Sequence, residues 1–168
     1  DRSACPYVQP YTYTLTSPTS LSAVASIAQA NPGSLWLIGN EMDRRDWEGG
    51  GQDEMLPQVY AWAYHDLYHC IKDADPTAQV AIGGVVQPTP LRLEYLDKVL
   101  AEYQTRYGSM IPVDVWNIHN MIVREVEASW GADVPPGSNA DQGRTYTIQQ
   151  ADSMSIFEQQ ILEFRQWM

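Results

Sequence analysis

Trp36-Leu37-Ile38-Gly39-Asn40-Glu41 is the stretch on which the reading of this chain turns. An apolar run leads straight into an amide and a carboxylate. A short apolar stretch of this kind reads as a strand buried on both faces, as in a parallel sheet. A carboxylate at the carboxyl end of such a strand lies where α/β barrels keep their chemistry. The amide of Asn40 can fix a ligand hydroxyl beside that acid. The plainer reading is a strand-end glutamate with no chemistry, and the dipeptide alone does not choose between them.

Outward from this run, helical and strand patterns alternate. Before it, Ser17-Pro18 suits a helix start and Leu21, Val24 and Ile27 form a helical stripe, stopped by Asn31-Pro32-Gly33. After it, a loop holds Gly49-Gly50-Gly51. From Met55 to Asp73 the spacing is helical, with Leu56, Val59, Ala63, Leu67 and Cys70 on one face. Asp75-Pro76-Thr77 leads into a second strand, Val80 to Val86. Thr89-Pro90 opens another helix, closed by Gly108, and Val113 to Ile118 reads as a third strand. A polar stretch, 125–149, precedes a last helix whose inward face is expected to hold Met154, Phe157, Ile161, Phe164 and Met168. Alternation of this kind means parallel βαβ units in one domain spanning 1–168. No Gly-rich phosphate loop follows any strand, and Gly83-Gly84 lacks the fingerprint spacing.

Composition narrows the partners. The formal net charge is −11, which argues against nucleic acid, because phosphates require basic surfaces. The apolar fraction of 44% suits a globular protein with its own core, and no run is long enough for a membrane helix. Neutral partners such as carbohydrates fit this balance. Cys5 and Cys70 can pair or stay free, and two cysteines do not assign a redox compartment.

With these elements placed, the chain resembles the clan A glycoside hydrolases. Asn40-Glu41 looks like the pair that ends strand four there. Asp75-Pro76-Thr77-Ala78 followed by Val80-Ala81-Ile82-Gly83-Gly84 is similar to the junction before strand five, and Val113-Asp114-Val115-Trp116-Asn117-Ile118-His119 looks like strand six. The resemblance covers about 35–120. It implies a partial (β/α)₈ barrel in which Glu41, Gln87 and His119 emerge on one face, and a retaining hydrolase of O-glycosidic bonds. It slightly favours an extracytoplasmic protein. Two departures stand out. The family's His-x-Tyr at strand six is His119-Asn120-Met121 here, and a whole barrel needs about 250 residues. A retaining glycosidase requires a second carboxylate about 5–5.5 Å from the first. The resemblance places that nucleophile beyond Met168, so a fragment of a longer enzyme is expected. Its open strand edges would invite self-association.

The resemblance casts Glu41 as the general acid, then base, a role that calls for a raised pKa. Asn40 would bind the neighbouring sugar hydroxyl, and His119 would contact the substrate or the acid. Gln87 either meets a sugar hydroxyl or caps the turn before Pro88. Trp47 and Trp130, in loops after Glu41 and His119, are candidate platforms for sugar rings, whereas Trp36 and Trp116 read as core. No cofactor or metal is expected. Asp43, Asp46, Glu48, Asp53 and Glu54 lack EF-hand spacing and read as a solvated loop. Two further readings stay open. One is a non-catalytic carbohydrate-binding barrel. The other is a zinc-dependent hydrolase using His65 and His69, which are four apart on one helix face, with Asp66 where metalloproteases carry Glu.

Overall fold

A computed structural model describes residues 12–45 and 52–168. Helix α1 spans Leu21–Ala30. Its cap is Ser20, whose Oγ accepts from the Ala23 N–H at 3.2 Å. Strand β1, Leu35–Asn40, follows the Pro32-Gly33 turn, in which Gly33 has φ of 76°. Helix α2, Pro57–Ala74, crosses over to strand β2, Gln79–Gly84, which lies parallel to β1 with Leu37 opposite Ala81 and Ile38 opposite Ile82. Helix α3, Pro90–Tyr107, starts on proline and ends on Gly108 in the left-handed conformation. A short 3₁₀ turn, Ile148–Gln150, precedes helix α4, Met154–Trp167. No described helix is long and apolar enough to cross a membrane.

The core lies between the sheet and α2, with α1 and α3 against α2. Val80, Ile82, Val85, Ala61, Tyr64, Ile71, Leu96 and Val99 fill it. Tyr60 fastens the layers together. Its hydroxyl donates to the Ile38 carbonyl and accepts from the Gly83 N–H, both at 2.7 Å.

The expected partial barrel is not present. The described residues form one sheet of two parallel strands with four α-helices. The third expected strand, Val113 to Ile118, forms only two isolated parallel bridges, Val115 to Ala81 and Ile118 to Val85. The backbone explains why. Bonds run from Ile82 N to Val115 O and from His119 N to Val85 O, whereas the Gly83 N–H between them faces β1, where it meets the Tyr60 hydroxyl that also holds the Ile38 carbonyl. The Val80 N–H, which does face this segment, is taken by the Asp114 carboxylate at 2.9 Å. A segment bonded only at separated points, with a side chain in place of one ladder bond, does not make a ladder. Nor is β1 buried on both faces: Leu35 and Leu37 are 51% and 56% exposed, and among the described residues β1 pairs only with β2.

Helix α4 also departs from expectation. Met154 and Met168 are exposed, and the inward face is rotated to Ile156, Gln160, Phe164 and Trp167. Phe164 and Trp167 pack around Trp116. Gln160 is 1% exposed, and neither of its amide heteroatoms has a hydrogen-bond partner among the described residues. A buried unpaired polar group costs about 1–3 kcal/mol. Gln160→Met, similar in length and flexible, should therefore raise the midpoint of urea unfolding by about 1 kcal/mol equivalent or more. An unchanged or lowered midpoint would show that the amide is satisfied.

Candidate functional site

Glu41 follows the last residue of β1 in a left-handed conformation, φ 50°, unusual for a side-chain-bearing residue. Its N–H still donates to the Gly84 carbonyl of β2, so the sheet holds the strand end while the chain turns away. The residue is 3% exposed. One carboxylate oxygen lies 3.0 Å from His119 Nδ1, and the other accepts from an Arg44 guanidinium N–H at 2.9 Å. Burial alone pushes the Glu41 carboxyl up. The hydrogen bonds and charges of His119 and Arg44 outweigh it, and the pKa is held below the usual carboxylate range. This reverses the raised value expected for a general acid. The fold thus favours ionised Glu41, a stabilisation present above the ordinary carboxylate range and lost as pH falls through the lowered value.

His119 reaches Glu41 because glycine stands beneath it. A Cβ on Gly84 would meet the His119 ring at 2.6 Å and the Asn117 amide nitrogen at 2.9 Å. Among the described residues, that buried nitrogen has no acceptor and the Asn120 side-chain oxygen has no donor. An unsatisfied amide nitrogen thus lies beside the His119 ring over Gly84.

Behind the site lies a buried ion cluster that the sequence reading missed. Arg92, in the first turn of α3, is fully buried. Its guanidinium donates to Glu125 at 2.8 Å and to Asp43 at 2.6 Å, and to the carbonyls of Ala132 and Asp133. Glu125 also accepts from Thr89 Oγ and the Arg144 N–H, and Asp43 from the Val86 N–H. Burial pushes the Asp43 carboxyl up, while the two carboxylates, working against burial, hold the Arg92 guanidinium above its usual value. The geometry favours an ionic pair, because every donor around Asp43 points at an acceptor. The cluster ties the turn after Glu41 to α3 and to the loop after His119.

The other expected residues are placed as follows. Asn40 is exposed; its backbone donates to the Asp53 carboxylate at 2.7 Å and accepts from the Asp53 N–H at 2.8 Å. Gln87 is fully buried, and both ends of its amide bond the Val123 backbone at 2.9 Å. Trp130 is 48% exposed. The next residue, Gly131, accepts from Arg44 at 3.4 Å, so the indole sits in a loop that touches the site. Trp47, Asp46, Glu48 and Cys5 lie outside the described residues. The acidic loop does not act as one group, because Asp43 turns inward to Arg92 and Asp53 to Asn40. His65 and His69 have ring centroids 4.5 Å apart, but His65 stacks on Tyr107 at 3.6 Å. Among the described residues, no three His, Cys, Asp or Glu side chains converge as metal ligands. A cavity beside β1, lined by Trp36, Ile38, Tyr60, Leu67 and Ile71, includes neither Glu41 nor His119.

Arg44 was also not anticipated. Its only signal in the sequence is a position three residues after Glu41. No protein-family model, curated protein or solved structure matches the chain.

Proposed function

We propose that this chain carries the acid–base part of a site that hydrolyses O-glycosidic bonds, built on Glu41 with His119 and Arg44. One observation carries the reading: a carboxylate 3% exposed, turned out of the sheet at a strand end, and bonded through both oxygens to an imidazole and a guanidinium. Ionisable groups brought together in this way, with the pKa of one displaced, are the usual material of acid–base sites. The half-exposed indole of Trp130, next in sequence to the Gly131 carbonyl that Arg44 reaches, offers an apolar face on which a sugar ring can stack.

The reaction needs a second carboxylate: about 5–5.5 Å away for retention, or about 6.5–9.5 Å for inversion. The nearby described carboxylates are engaged elsewhere, Asp43 and Glu125 with Arg92 and Asp53 with Asn40. For the same reason, carbohydrate binding without turnover is the second reading. The expected result is that the 168-residue chain binds neutral oligosaccharides, with NMR shifts centred on Glu41, His119 and Trp130, but hydrolyses aryl glycosides no faster than background. Robust turnover abolished by Glu41→Gln would overturn the one-carboxylate argument. A screen in which no saccharide shifts these signals would overturn the carbohydrate reading itself.

A further inference from the structure

We infer that the atom of this site which exchanges a proton with the ligand is His119 Nε2, and that Glu41 remains an anion that holds the ring. This rests on the glycoside-hydrolysing reading for its substrate, but not for its geometry. Neither oxygen of Glu41 is free, since one is bonded to His119 Nδ1 and the other to Arg44. For Glu41 to touch a leaving group it would have to break one of those bonds from a position 3% exposed. The imidazole is better placed. Its side chain is 29% exposed, and Nε2 has no hydrogen bond among the described residues.

The tautomer follows from the partner. An ionised carboxylate only accepts, so the hydrogen must sit on His119 Nδ1. The lowered pKa of Glu41 supports the ionised form. In the neutral ring, Nε2 then carries the lone pair and is a base; in the protonated ring, it carries an N–H and is an acid. This is the logic by which a carboxylate orients a catalytic imidazole. Among the described residues, the charges facing the ring are Glu41 and, through it, Arg44. Strand β2 presents only the bare backbone of Gly84, and a Cβ there would stand 2.7 Å from Nε2. The Asn117 amide N–H, without a partner among the described residues and 2.9 Å from that same point, supplies a donor beside it.

The chemistry balances over two steps. In the first, the Nε2 proton passes to the glycosidic oxygen as its bond to the anomeric carbon breaks, and that electron pair stays on the departing alcohol. The second carboxylate of the proposed reaction takes up the glycosyl group. In the second step, water attacks the same carbon, its proton goes to the Nε2 lone pair, and the carboxylate leaves. One water is consumed and the imidazolium is restored.

Nitrogen-15 labelling of the histidines tests the assignment on the chain itself, which has three: His65, His69 and His119. Neutral His119 should be the Nδ1–H tautomer by at least about tenfold, as a hydrogen bond to an ion implies. Glu41→Gln should reduce this to a mixture, because a carboxamide can donate as well as accept. Gly84→Ala should do the same by displacing the ring, while unchanged His65 and His69 signals report an intact fold. An Nε2–H tautomer in the parent chain, or a His119 tautomer unmoved by Glu41→Gln, would overturn the inference. Saccharide titration separates the two claims. Binding together with an Nε2–H tautomer sinks this inference alone. An Nδ1–H tautomer in a chain that binds no saccharide sinks the glycoside reading and leaves the imidazole assignment standing.

Discussion

Arg92→Met should destabilise the protein by about 3–5 kcal/mol, the cost of leaving buried charge without its partner. The guanidinium is fully buried between Asp43 and Glu125, and it also satisfies the carbonyls of Ala132 and Asp133. Methionine fills much of the volume and offers no donor. Two carboxylates would then face each other in a site that excludes water. Arg92→Lys should fail nearly as badly, because one ammonium cannot fork between two carboxylates and two carbonyls. Replacing all three charged residues together with apolar side chains should recover much of the loss, since a buried ionic cluster contributes little net stability once its partners are removed as well. Urea unfolding of the three variants measures this. A loss below about 1 kcal/mol for Arg92→Met would mean that water reaches the cluster.

That cluster also shows what a linear reading can and cannot recover. Arg92 stands 49 residues from Asp43 and 33 from Glu125 in sequence. Nothing near it distinguishes it from an exposed helix arginine, and only folding brings the three together. The helices were more legible, because proline at the first position and Gly108 at the end of α3 act locally. The strand-like run ending at Glu41 was legible too, but its environment was not. Leu35 and Leu37 read as buried and are half exposed, since an apolar run says nothing about how many layers cover it. The third strand failed beside Val80, whose N–H goes to the Asp114 carboxylate and not to a backbone carbonyl of that segment. Gln87 was placed at a strand end and read as either ligand contact or turn cap; the direction of its amide, toward Val123, is a tertiary fact. Glu41 and His119 do meet, at 3.0 Å, but the charge state of Glu41 follows from Arg44, which the sequence reading passed over.

Glu41→Gln, made in a protein that also supplies the second carboxylate, should lower turnover of glycosides with poor leaving groups by about 10²–10⁴-fold, the usual contribution of general acid–base groups. The carboxamide keeps the shape of the side chain and can still meet Arg44. It no longer carries the charge that fixes the hydrogen of His119 on Nδ1, so neither member of the pair presents a proton correctly to the departing oxygen. Aryl glycosides with activated leaving groups need no protonation, and for them the first step should be nearly unaffected. Their second step still needs a base to activate water, so the glycosyl intermediate should accumulate in the variant. Azide attacks without a base, and adding it should restore turnover and release glycosyl azide of retained configuration. The measurement is kcat/KM across a series of leaving groups, with and without azide. An equal loss for good and poor leaving groups, with no rescue, would mean that Glu41 holds the turn between β1 and Arg44 and does not act on proton transfer through His119.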